Sequence, residues 1–314
     1  LRRIGTPQSV AAPQGLQVQL RPYQLEGLAW LQYLREQGLG GILADDMGLG
    51  KTIQTLAHLH LEKVSGRATL PSMIVMPTSL ITNWCSEAER FAPGLKVLAL
   101  HGAARSLHFA DIANADLIFT TYPLLVRDQE VLLQQEFHLL VLDEAQFIKN
   151  PKAHAHRVAR QIKARHRLSL TGTPLENHLG ELWAQYNFLM PGLLGDVRRF
   201  AAAFRTPIEK QNDAERRQQL AERVRPFLLR RTKEQVLAEL PPRTEVVRWV
   251  ELTGEQRDMY ESLRLIFDRK LRQVLATRGV SQSQIMILDA LLKLRQVCCD
   301  PRLVRLPAAS SVSS

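Results

Sequence analysis

Gly40-Gly41-Ile42-Leu43-Ala44-Asp45-Asp46-Met47-Gly48-Leu49-Gly50-Lys51-Thr52 is the stretch that decides how this 314-residue sequence folds. Its first five residues make an apolar, strand-like run, and a tight glycine turn follows. Beyond the turn, Ile53, Leu56, Ala57 and Leu61 recur at helical spacing. Gly48 and Gly50 allow turn angles and close approach of a ligand to the backbone. The first N–H groups of the helix have no internal partner, and with the helix dipole they form an anion site. Lys51 is placed to reach the β- and γ-phosphates of a nucleotide, and the Thr52 hydroxyl to ligate a magnesium ion. Strand, turn, lysine and hydroxyl in this order predict a phosphate-binding loop. One departure is visible: the general G-x-x-x-x-G-K-[ST] pattern has glycine where this chain has Asp45.

The second half of such a site lies about ninety residues on. Phe137 to Leu142 is a hydrophobic strand, and Asp143-Glu144-Ala145-Gln146 follows it directly. This places two acids at the carboxyl edge of a sheet, where open α/β sheets bind ligands. Asp143 is suited to hold magnesium opposite Thr52. Glu144 is suited to orient or deprotonate an attacking water. A helix N-cap would explain one acid after a strand, but not its pairing with a phosphate loop upstream. Together the two stretches predict binding of ATP or another nucleoside triphosphate with Mg2+.

Around them, short apolar strands alternate with helical segments. Strands are expected at 72–76, 96–100, 116–120 and 167–170, which is the pattern of an α/β parallel sheet. Pro22 opens a helix running to about Gln37, with Gln24 in its first turn; alone, Gln24 reads as a surface residue. Pro77-Thr78-Ser79 starts another helix, which carries Trp84. Thr171-Gly172-Thr173-Pro174 ends the 167–170 strand, and its hydroxyls could sense a γ-phosphate or simply form a turn. After about residue 195 basic, helix-compatible segments take over, with thirteen Lys/Arg against seven Asp/Glu between Arg198 and Arg248. A further strand is expected over 246–252, then helices to about Thr277 and from Gln282 to Val297.

The composition, 45% hydrophobic and 23% charged, is that of a globular protein, and no apolar run is long enough to span a bilayer. Three cysteines (Cys85, Cys298, Cys299) give neither a disulfide framework nor a C-x-x-C pair, which fits a reducing compartment. The formal charge of +10 suggests a polyanionic partner, most simply nucleic acid. The chain begins at Leu1 rather than Met, as expected of a piece of a longer protein.

From about Leu20 to Arg302 these motifs resemble the ATPase motor of the Swi/Snf-type chromatin remodellers and DNA translocases, a branch of helicase superfamily 2. Leu20 to Gln24 resembles the adenine-side glutamine motif. Asp45 to Thr52 fits the family's motif I better than the general loop, since an acid followed by Met-Gly-Leu-Gly-Lys-Thr is typical of it. Pro77 to Trp84 resembles motif Ia, Thr120 to Tyr122 motif Ib, and Asp143 to Gln146 motif II, with Gln146 where many members have histidine. Leu170 to Pro174 resembles motif III. Leu229-Arg230-Arg231 with Leu240-Pro241-Pro242 resembles the helical protrusion of the first lobe.

The resemblance implies a RecA-like lobe, a parallel sheet with helices on both faces, carrying a helical insertion. It implies that Lys51, Asp143 and Glu144 serve catalysis, that Gln24, Gly48, Leu49, Gly50, Lys51, Thr52 and Ile53 surround ATP, and that Thr52 and Asp143 hold Mg2+. Gln146, Thr171, Gly172 and Thr173 would couple hydrolysis to movement. Pro77, Thr78, Ser79, Thr121, Tyr122, Arg230 and Arg231 would face the backbone of double-stranded DNA, without reading sequence. The expected organisation is a lead-in loop (1–15), a first lobe (16–195), a basic helical protrusion (196–245), a lead towards a second lobe (246–302) and a disordered tail (303–314). Hydrolysis would need arginines from that second lobe, and the motor would displace a DNA-bound protein such as RNA polymerase or a nucleosome. A nucleotide-gated DNA-binding module, with hydrolysis incidental, is the alternative; a small-molecule kinase fits poorly with the basic insertion and motif III. The leucines, glutamines and compact insertion favour a bacterial member, cytoplasmic and nucleoid-associated, over a nuclear one.

Overall fold

A computed structural model describes residues 7–148, 150, 153–172, 178–236 and 248–304, with 275–285 as backbone only. The chain divides into two compact units near residue 241. The first is built on seven strands: β1 (Gly41–Leu43), β2 (Ser72–Met76), β3 (Val97–Ala99), β4 (Leu117–Thr121), β5 (Glu136–Leu142), β6 (Lys163–Leu170) and β7 (Leu228–Leu229). They lie in the order β3-β4-β2-β5-β6-β1-β7, and every pairing is parallel. Parallel neighbours need long crossovers, so both faces are covered and the central strands are buried apolar runs. β2 and β4 are buried at every position.

The crossovers explain the layers. From β1 to β2 to β3 the chain moves one way across the sheet, and from β4 to β7 it moves back. Right-handed crossovers then put the first set of helices on one face and the second on the other. Accordingly α1 (Pro22–Glu36), α2 (Lys51–Val64) and α3 (Ile81–Phe91) pack together. So do α4 (Tyr122–Arg127), α5 (Gln129–Leu132), α6 (His154–Gln161) and α7 (Leu179–Leu189). Trp84, Phe119, Phe137, Tyr186 and Phe188 are the bulkiest fully buried side chains between these layers.

The stretch expected as a basic helical protrusion (196–245) packs on the lobe over its described part. It begins with α8 (Val197–Phe200), a π-turn (Ala201–Arg205), α9 (Thr206–Gln211) and α10 (Ala214–Val224). Phe200, Phe204, Leu220, Val224 and Phe227 are buried in the same core as the sheet, and β7 pairs with β1. Most of its basic side chains are exposed, Arg231 being buried, while its aromatic and aliphatic positions anchor it, so this stretch ends as part of the lobe. Residues 237–247, including the Leu240-Pro241-Pro242 motif, lie outside the described residues.

In the second unit, the strand expected over 246–252 is absent among its described residues: 248–252 are irregular, with Trp249 and Val250 exposed. The two helices expected there are one unbroken helical run, α11 (Gly254–Cys299). A straight helix of 46 residues would be about 69 Å long. Yet Gln256 Nε2 donates to the Val297 carbonyl at 2.7 Å, so the run doubles back and brings its ends together. Leu263 and Val297 pack with Val304, which follows a 3-10 turn at Pro301–Leu303. The expected tail is therefore ordered at 303–304, and 305–314 lie outside the described residues.

Candidate active site

Three neighbouring strands, β5, β6 and β1, bring the predicted motifs to one edge. Leu43 is in register with Leu170, and Leu142 with Ser169, so Asp45, Thr171 and Asp143 follow at adjacent carboxyl ends. At β1 the chain turns through Gly48 and Gly50, both left-handed at φ 88° and 79°. Gly50 caps α2, whose first residue is Lys51, so the free N–H groups of Lys51, Thr52 and Ile53 open onto the turn. A Cβ on Gly50 would lie 2.6 Å from Gln24 Nε2, so a side chain there would displace that amide as well as strain the left-handed backbone. Gln24 Nε2 donates to the Leu49 carbonyl at 3.3 Å, while its Oε1 accepts from Arg21 N at 2.9 Å. The structure thus seats Gln24 against the loop, buried rather than on the surface. Lys51 Nζ donates to the Asp45 carbonyl at 2.7 Å. Burial lowers its proton affinity, and the carboxylates of Glu144, Asp143, Asp45 and Asp46 counter that, keeping a cation over the turn.

Opposite the loop, Asp143 is held at both oxygens. Trp84 Nε1 donates to Oδ2 at 2.8 Å, and Glu144 N donates to Oδ1 at 2.9 Å. Burial raises the pKa of Asp143, as does the Glu144 charge; the Trp84 bond and Lys51 pull it down. A carboxylate in that environment gains from a cation beside it. Glu144 sits at φ 48°, a left-handed conformation that costs a non-glycine residue about 1 kcal/mol or more. Its Oε2 accepts from Gln146 Nε2 at 2.8 Å, and Gln146 Oε1 accepts from Thr171 Oγ1 at 3.2 Å. A continuous chain therefore links the end of β6 to the carboxylate after β5. Gly172 lies under the loop tip, where a Cβ would approach Met47 Cγ to 3.2 Å. Thr173 lies outside the described residues.

The donors fit a hard cation and a polyphosphate. Thr52 and Asp143 offer oxygen ligands, and no group of three or more His, Cys, Asp or Glu able to hold a metal occurs among the described residues. Two oxygen donors beside a phosphate cradle would suit a magnesium ion, which takes one or two protein oxygens and fills its shell from phosphates and water. The cradle for the anion is the glycine turn itself.

The residues expected to face DNA divide. Thr78 and Ser79 are exposed at the end of β2, beside half-buried Pro77, and Arg230 is exposed. Thr121, by contrast, is buried, and its Oγ1 accepts from Leu124 N at 3.4 Å as the cap of α4. Tyr122 is also buried; its hydroxyl donates to the Asp143 carbonyl at 2.7 Å and its ring stacks on Phe147. Arg231 is buried as well, paired with Asp45 at 2.5 Å. These three support the site from within. The signal for the Arg231 pair was the acid standing where the general loop has glycine, since a carboxylate buried in a turn needs a cation. Nothing local marked Trp84 as a partner of Asp143, because the two are 59 residues apart.

Comparison with known proteins agrees with this geometry. The model of the SNF2-related domain family matches residues 23–303. A Bacillus subtilis protein, "Putative ATP-dependent helicase/translocase YwqA", is 43% identical over 90% of this chain and 31% of its own length. The Saccharomyces cerevisiae "TATA-binding protein-associated factor MOT1" is 36% identical over 94% of this chain and 17% of its own. The chain thus spans a third or less of these relatives. A solved structure, the Sulfolobus solfataricus SWI2/SNF2 ATPase core in complex with dsDNA, matches with a TM-score of 0.72 and 37% identity, over 95% of this chain and 62% of that one. Family model, relatives and fold converge on the same assignment: the chain belongs to the SNF2-related domain family.

Proposed function

We propose that this chain is the ATP-binding lobe of a motor that moves along double-stranded DNA. The observation that carries the proposal is the Thr171–Gln146–Glu144 chain lying across from Lys51 at adjacent strand ends. Gly48 to Lys51 bind the β- and γ-phosphates, with Lys51 neutralising their charge. Thr52 and Asp143 would hold the magnesium ion, which supplies electrostatic stabilisation to the phosphoryl oxygens. Glu144 orients the attacking water and takes its proton. Gln146, uncharged at any working pH, holds the Glu144 carboxylate and reports to Thr171 through the other end of the same amide.

Transition-state charge on the transferred group calls for arginines from a second lobe; such a residue is worth ~10³–10⁵ in rate. Lobe closure on ATP and opening after hydrolysis would shift a grip on the DNA backbone, held on this side near Pro77–Ser79 and Arg230. Such contacts position without reading sequence and weaken steeply with salt. The relative named for association with TATA-binding protein supports a DNA-bound protein as the object moved, with RNA polymerase and nucleosomes as further candidates. The test is calorimetric titration of the chain with ATP and Mg2+. Saturable binding that Lys51→Ala abolishes, with the variant still folded, is expected; equal binding by both would overturn the assignment of the loop.

A further inference from the structure

Both acids of the phosphate loop are gripped by a single segment that arrives from the insertion. Ala44 N donates to the Leu229 carbonyl at 2.7 Å, and Asp46 N to the Arg231 carbonyl at 3.0 Å. In return Arg231 N and Nε donate to Asp45 Oδ1 at 3.1 and 3.0 Å, and Nη2 to Oδ2 at 2.5 Å. Lys233 N donates to Asp46 Oδ2 at 3.1 Å. The Arg231 guanidinium also bonds the Tyr23 carbonyl and Gln54 Oε1, and lies 5.3 Å from the centre of the Tyr23 ring. Gln54 Nε2 closes the circuit on Asp45 Oδ2 and the Gly50 carbonyl, both at 3.2 Å. Space is reserved for this clasp: a Cβ on Gly27 would fall 1.8 Å from Gln54 Oε1 and 2.9 Å from Arg231 Nη2.

We infer that Arg231 is a positioning residue for the nucleotide site, acting through Asp45 to set the phosphate loop in its binding shape. The inference rests on the reading of that loop as an ATP site. It explains why this chain departs from the general pattern: Asp45 replaces glycine because it is the handle by which residues 229–233 hold the loop. Asp45 is fully buried and Arg231 nearly so, and a buried charge without its partner is strongly unfavourable. It also ties the helical insertion to nucleotide affinity, since α10 leads within a few residues into the clasp.

The test uses the 314-residue chain and compares wild type, Lys51→Ala, Arg231→Met, Asp45→Asn and Asp46→Ala. Affinity for ATP with Mg2+ is measured below each variant's melting temperature, alongside amide hydrogen exchange at residues 46–50. The clasp predicts about tenfold weaker binding for Arg231→Met and Asp45→Asn, the scale of one charge-assisted hydrogen bond, with faster loop exchange. A smaller loss is expected for Asp46→Ala, whose half-buried side chain puts folding at little risk. If Arg231→Met does not fold, Asp45→Asn and Asp46→Ala decide. Wild-type affinity and exchange in the folded variants, with Lys51→Ala inactive in binding, would overturn the clasp while leaving the ATP site standing. Failure of wild type to bind would instead refute the site itself.

Discussion

Lowering the pH should destabilise the first unit through His58, which lies about two turns along α2 from Lys51. His58 is buried on α2 and faces Glu62, His138, Arg35 and His166. Its environment fixes it as neutral. Arg67 and Arg35 both donate to Gln32 Oε1, at 2.9 and 3.1 Å, which turns the Gln32 amide so that Nε2 points at His58 Nδ1 (2.8 Å) and Glu62 Oε1 (3.1 Å). Nδ1 must accept that bond and cannot carry a proton. Burial pushes the His58 pKa from 6.5 down to about 3, against the pull of Glu62. The folded pKa is depressed, so the stabilisation is complete above 6.5 and is lost as pH falls from there towards 3. Between pH 7.5 and 5 the unfolded chain gains most of a proton that the folded chain refuses, which costs about 2 kcal/mol. Urea unfolding across this range, compared with His58→Asn, isolates the term, because asparagine keeps an acceptor near Nδ1 without a titrating ring. The variant should lose about 2 kcal/mol less than wild type over the same interval. Parallel pH profiles for the two proteins would show that His58 does not carry this pH dependence.

Glu144→Gly should raise stability by up to about 1 kcal/mol in thermal unfolding, by relieving the left-handed backbone, while removing the proposed base; a loss of stability would contradict the strain assigned there. Gln146→Leu should cut ATP turnover of the two-lobe protein about ten- to a hundredfold with little change in nucleotide affinity, because the amide holds Glu144 rather than phosphate. Arg230→Gln should reduce the slope of log affinity for duplex DNA against log salt by about one contact's share, ~0.9, and an unchanged slope would remove Arg230 from the interface.

The nucleotide half of the site was legible because its chemistry demands particular residue types at short spacing. Gly48, Gly50, Lys51 and Thr52 stand within five positions, and Asp143 and Glu144 directly follow an apolar strand. The sheet was legible because strands buried on both faces read as unbroken apolar runs. What stayed hidden depended on distant pairing or on which way a side chain faces. Leu228–Leu229 is too short to show any period, so β7 looked like part of a charged helical stretch. Thr121 ends β4, which is buried at every position, and Tyr122 opens α4; motif position alone did not say that both serve the interior. The alternation around Trp249 looked like a strand, but those residues are exposed and pair with none of the described strands. The helices expected up to Thr277 and from Gln282 lie in one helical run whose ends meet; the sequence marked two segments there but not that the residues between them stay helical.

Whether this lobe supplies the ATP site of a DNA-dependent motor is decided by measuring ATP hydrolysis with and without duplex DNA. The chain should be compared with a form extended by the residues that follow it in the full protein. Turnover is expected from the extended form only when DNA is present, abolished by Lys51→Ala or Glu144→Gln, with negligible turnover by this chain alone. Full-rate, DNA-independent hydrolysis by this chain would contradict it.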